Sequence, residues 1–323
     1  VASPIADLSY RGYDGPLASP RMRWWVIARV SMRIAMRRKS YWVWMAGAAW
    51  YFLMMIIIVF FVEQAAAAAG NAQQSERFLR GLIWKDQFLH GFSFGQLIFL
   101  ILTLTLGAGA IANDNRSNAL LVYLSKPCTK FDYLFGKWMG IFMPLGLAML
   151  APSLFFYLWG ALSYRQYGFF ADPWLIGKLV ALISIAAALH ASLILGVSSL
   201  FNQGRLAGAT YAGIYFMTNF FTQLVVVTWN LATMPRGRGR GLDVDFQASD
   251  LLASAYYFSI DGLQIGLAKA ILGTNGGPYF GIDNRIRPVP APSLESCLLI
   301  VAAISLAMIF LAWRRVRAVE IIG

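Results

Sequence analysis

Charge is what this chain has least of. Only 13% of its 323 residues are Asp, Glu, Lys or Arg, against about a quarter in soluble domains, which excludes a water-soluble globule. Reactive side chains are equally scarce. There are two cysteines, Cys128 and Cys297, and two histidines, His90 and His190. Neither pair has a zinc or redox spacing, and no HExxH or GxxxxGK[ST] motif occurs. No metal, haem or nucleotide site is therefore read on this chain, and no cofactor is expected on it. A mid-membrane ladder of acidic and basic groups, such as ion-driven carriers use, is also missing, which moves the energy source to another polypeptide. The first 20 residues have no apolar core, so the first span is expected to direct insertion without a cleavable signal.

What the chain has in abundance is apolar length: 59% of its residues are hydrophobic. A membrane helix needs about 20 such residues in succession, and six stretches qualify, at roughly 41–62, 93–112, 138–162, 175–201, 206–232 and 296–313. Their continuous apolarity, without a period of two, predicts helices and not a barrel. The fold class read from the sequence is all-α integral membrane protein, with residues 1–40 as a separate N-terminal segment and 41–323 as the spanning domain.

Lys and Arg set the orientation. With the N-terminus inside, the cytoplasmic side collects 16 of the 27 basic residues and +11 of the net +12, so both termini are expected in the cytoplasm and the protein in the cell's inner membrane. The same bias, with anionic lipid as partner, accounts for the pI of about 9.9 and leaves no call for nucleic acid. Within the N-terminal segment, Arg29, Arg33 and Arg37 share one helical face while Trp24 and Trp25 lie on another. That arrangement predicts a helix lying in the membrane interface.

Two loops are expected outside. The first, 63–92, begins with the alanine run Ala65 to Ala69 and places Trp84, Phe88 and Phe92 at the outer surface. The second, about 233–295, carries a helix capped by Ser249 or Asp250 that ends at Gly273. Asp261 and Lys269 would be costly at the bilayer centre, so this helix is read as surface-lying or half-inserted. His190 is read as a packing residue bonded to a neighbouring helix.

The most informative stretch is Gly107 to Lys137, a polar segment between two apolar runs whose loop is read at about 113–137. Capping residues from Asn113 onward precede Leu120, Leu121 and Leu124 at helical spacing, and Pro127 ends the turn. Asp114 and Arg116 flank its start, and Tyr123 shares it. A basic surface helix showing leucines predicts a docking point for another protein.

Several of these residues form a recognisable pattern. Ile111-Ala112-Asn113-Asp114, then Leu124-Ser125-Lys126-Pro127, Phe131-Asp132-Tyr133 and Leu134-Phe135-Gly136-Lys137 resemble type-two ABC-transporter permeases, in the branch of nitrous-oxide-reductase maturation and gliding-associated permeases. Pro127, Tyr133, Gly136 and Lys137 carry the match. The resemblance implies a half-transporter paired with a second permease, identical or related, and driven by a separate ATPase subunit that binds ATP and Mg. In such a permease the helix around Asp114, Arg116, Leu120, Leu121, Tyr123, Leu124 and Pro127 is the ATPase-coupling element. Export is the expected direction, with an extracytoplasmic protein as a further partner at the outer loop. Small residues such as Gly107, Gly109, Gly196 and Gly213 mark where helices of two permeases can approach. The rival reading is a non-transporting membrane anchor that organises a respiratory or maturation assembly.

Overall fold

The computed structural model describes residues 22–119, 128–233, 254–277 and 289–316, and among these no strand occurs. Among the described residues twelve α-helices follow one another: α1 (Arg23–Arg37), α2 (Lys39–Ala48), α3 (Trp50–Ala68), α4 (Ala72–Gly81), α5 (Trp84–Phe94), α6 (Gln96–Gly107), α7 (Ala112–Arg116), α8 (Lys130–Ser163), α9 (Leu175–Ser198), α10 (Gly204–Thr233), α11 (Ile260–Leu272) and α12 (Leu294–Arg315). Five are long and apolar enough to cross a membrane: α3, the run Trp84–Arg116, α8, α9 and α12. Helix α10, with 30 residues, has the length. Its apolar sequence is diluted by Thr210, Thr218, Asn219, Thr222 and Gln223, and it is not among the five.

Element ends depart from expectation where helix continues past the apolar run. The stretch Ala65 to Ala68, expected in a loop, completes α3, because alanine favours helix wherever nothing opposes it. Helix α8 starts at Lys130, eight residues before the predicted span. Its start is a capping box: Thr129 Oγ1 accepts from the Asp132 amide at 3.1 Å, and the Thr129 amide donates to Asp132 Oδ2 at 3.1 Å, which satisfies two amides the helix end would leave bare.

Residues 63–92 are not the open loop expected. They hold α4 and most of α5, and Trp84, Phe88 and Phe92 are buried. These rings join Phe52, Phe156 and Phe169 in an aromatic core at the C-terminal end of α8, with Phe52 and Phe156 centroids 5.0 Å apart and Trp84 and Phe169 also 5.0 Å apart. In lipid, apolar surface gains little by leaving the bilayer, so such clusters form through close packing. Nearby, Asp172 receives Lys178 at 2.6 Å and Lys85 at 3.0 Å. The Lys178 hydrogen bond leads in holding its carboxyl down from the ordinary 3.8 to about 2.

Helix α9 occupies the centre, packed on α8, α12, α6 and α10. His190, fully buried on it, lies 2.6 Å by Nδ1 from the Tyr211 hydroxyl and 2.8 Å by Nε2 from Gln264 Nε2. It is thus a packing histidine bonded to two neighbouring helices. Helix α11 is buried among these elements. Its described N-cap is Ser259, whose hydroxyl accepts from the Gly262 amide at 2.9 Å; Ser249 and Asp250 lie outside the described residues. It ends, as the sequence predicts, at Gly273, which is left-handed at φ 67°. Both feared charges are satisfied there. Asp261 accepts from Asn219 at 2.7 Å and from Tyr215, and Lys269 donates to Tyr256 at 3.0 Å and to the Val289 carbonyl at 2.7 Å.

The glycines expected between subunits divide in use. A Cβ on Gly107 would lie 2.5 Å from Ile194, and one on Gly196 2.8 Å from the Met308 carbonyl, so both serve packing within one chain. Gly109 faces Asn113 of its own turn. Gly213 opens onto the molecule's outside.

Candidate functional site

The described part of the 113–137 segment forms a tether. As α6 ends, the chain bends through Ala108 to Ile111, and Ser198 at the end of α9 holds the bend. The Ser198 hydroxyl donates to the Ala108 carbonyl at 2.9 Å and accepts from the amides of Ile111 and Ala112 at 3.1 and 3.0 Å. Asn115 Nδ2 adds a bond to the Phe201 carbonyl at 3.2 Å. The short helix α7 is thus fixed to the α9–α10 turn.

From α7, Asp114 reaches across to α8. The Tyr133 hydroxyl donates to Asp114 Oδ2 at 2.7 Å, and Lys137 Nζ stands 2.8 Å from the same oxygen. Tyr133 and Lys137 are four residues apart and therefore share a helix face; Lys137 Nζ also lies 5.7 Å from the Tyr133 ring centre. The Tyr133 side chain is fully buried, and Asp114 and Lys137 keep only 18% and 14% of their exposure. A carboxylate so placed, met by one hydroxyl and one ammonium, makes a charge-assisted pair stronger than an exposed one.

Gly136 lies on the adjoining face of α8, turned toward α1. A Cβ there would stand 2.7 Å from the Trp24 carbonyl and 2.8 Å from Ile27 Cβ, so only glycine admits α1 at this distance. The rings of Trp24 and Phe135 meet edge to face at 4.9 Å. Helix α1 presents three stripes: Ala28 and Ala35 buried, Val26, Val30 and Ile34 exposed, and Arg29, Arg33 and Arg37 exposed beside them. Trp24 and Trp25 are half-buried.

The sequence-predicted site residues therefore separate. Asp114 is drawn into the tether, and Arg116 is exposed at the end of α7. Leu120, Leu121, Tyr123, Leu124 and Pro127 lie outside the described residues. Tyr133 and Lys137, named in the sequence only as carriers of a resemblance, are the partners of Asp114. Among the described residues no group of three His, Cys, Asp or Glu side chains could hold a metal ion.

No curated relative matches the chain. The family model described as ABC-2 family transporter protein matches residues 25–313, from α1 through the tether to the last turn of α12, and the chain belongs to that family.

Proposed function

We propose that the chain is one of two permeases in an ATP-driven transporter and that the 113–137 segment is where a separate ATPase subunit docks and moves the spans. The observation that supports this most is the Asp114–Tyr133–Lys137 tether. A polar segment between two membrane helices is ordinarily free to slide, but here its two ends are locked to each other. A push on the residues between them is delivered to α7 and α8 together, and through Ser198 to α9. That is how a rigid element passes a two-state motion from one protein to another.

On this reading α10 also crosses the membrane, as the fifth of six spans, and α1 lies along the cytoplasmic interface, its arginines at lipid headgroups. Both termini are cytoplasmic, ATP and Mg are bound by the partner, and cargo moves outward. The exposed side chains Phe216, Met217, Phe220 and Phe221 and the open Gly213 on α10 offer a face for the second permease, identical or related.

Replacing Leu120, Leu121 and Leu124 together by Ser tests the docking. Leucines bury about 1.5–3 kcal/mol each, so the triple variant is expected to stay in the membrane and lose its co-purifying ATPase. ATPase capture at unchanged affinity by that variant would overturn the reading.

A further inference from the structure

Beside the tether lies a cavity of about 610 Å³ bounded by α1, the ends of α6 and α7, α8 and the start of α10. Its charged lining is of one sign. Arg38, Arg116, Lys137 and Arg205 border it, and none of the described lining residues is acidic. Asp114 offsets Lys137 from behind, which leaves an excess of three positive charges. Arg116 and Arg205 are exposed and show no ion-pair partner among the described residues. The concentration is a product of the fold. Arg38 stands at the extended residue between α1 and α2, where its Nη1 donates to the Thr105 carbonyl at 3.2 Å, and Gly204 lets the start of α10 come within 3.0 Å of Gly109 measured from its Cβ position.

We propose that this cavity binds phosphate-ester anions and is filled in the membrane by the headgroup of an acidic phospholipid. Three unbalanced cations at a membrane surface need an anion, and guanidinium groups suit phosphate oxygens because their donors are spread in a plane. The surroundings favour a lipid as the source. Ile34 and Ile141 supply apolar wall, and Ile34 continues into the exposed stripe Val30 and Val26 along α1, on which an acyl chain can lie while its phosphate sits among the arginines. Basic pockets between membrane helices hold anionic headgroups in this manner. The inference depends on neither the ATPase partner nor the direction of transport.

Native mass spectrometry of the full chain, delipidated in a neutral detergent and titrated with dioleoylphosphatidylglycerol or dioleoylphosphatidylcholine, tests it. One phosphatidylglycerol is expected to bind well ahead of phosphatidylcholine. The double variant Arg116→Gln/Arg205→Gln should weaken that first site about 30-fold, while the double Arg→Lys variant keeps most of it. The pair Arg314→Gln/Arg315→Gln, exposed at the end of α12 and away from the cavity lining, should leave the first site intact. Competition with millimolar inorganic phosphate separates the sources: resistance assigns the site to lipid, and displacement at unchanged Arg dependence assigns it to soluble phosphate. Equal binding of the two lipids without phosphate binding, or a phosphatidylglycerol site indifferent to Arg116 and Arg205, would overturn the proposal.

Discussion

Asp114 shows how a single carboxylate becomes structural. With Tyr133 and Lys137 both on one of its oxygens, removing the ammonium by Lys137→Met leaves a largely buried anion with one donor, at an expected cost of about 1.5–3 kcal/mol. Asp114→Asn should cost a similar amount, because it removes the negative charge that draws both the Tyr133 hydroxyl and the Lys137 ammonium to α7. The double variant is then expected to lose less than the two single losses combined, by at least about 0.5 kcal/mol. Thermal unfolding of the four proteins in one detergent gives the cycle, and strictly additive losses would show that the pair does not act as a unit. Asp114 could be singled out from sequence, but its partners could not, because the apolar run put the start of the third span at 138. The clue was present in Thr129-x-x-Asp132, a capping-box spacing. It moves the helix start to Lys130 and sets Tyr133 and Lys137 on one face.

At the scale of elements, apolar length was a dependable guide to which stretches are helical and a poor one to what each helix touches. Runs such as 175–201 are helical because lipid leaves the backbone no other partner. The same lipid hides the usual distinction between inside and outside, which is why Trp84, Phe88 and Phe92 read as surface anchors yet form core. Helix α11 was legible at its Gly273 end and not at its start, since several Ser and Asp residues before it could serve as caps. Nothing in the sequence announced that Asp86 and His90 of α5 would hold the stretch after α11, through Thr274 and the Gly277 carbonyl. The most extensive contact between described elements is that of α1 with α8, and Gly136 lies within it. Gly136→Ala is expected to destabilise by about 1–3 kcal/mol and to open Arg29, Arg33 and Arg37 to trypsin. Gly177→Ala, on α9 with no atom near its Cβ position, should be harmless or slightly stabilising. Equal trypsin resistance of the two variants would mean that α1 does not rely on this glycine.

The whole molecule is a multi-pass membrane permease of the ABC-2 family, and its orientation is open to a direct check. Ser117, after α7, and Ser163, at the far end of α8, are both exposed. Single cysteines there, in a background lacking Cys128 and Cys297, should react oppositely with an impermeant thiol reagent on intact cells. Cys at 163 is expected to label and Cys at 117 to stay protected; the reverse pattern would invert the molecule and remove the tether from the cytoplasm. Between those positions runs α8, whose 34 residues make a rod about 51 Å long. One end is clamped by Asp114 and the other sits in the aromatic core with Trp84 and Phe169. Such a rod is a lever: a tilt of about 5° at the clamped end sweeps the far end through about 4 Å. Pro144 and Pro152 lie along it, and each removes one of the backbone bonds that would keep it straight. If an ATPase docks at the tether as proposed, the gearing between the two membrane faces is set by how far α8 flexes at its two prolines before it swings.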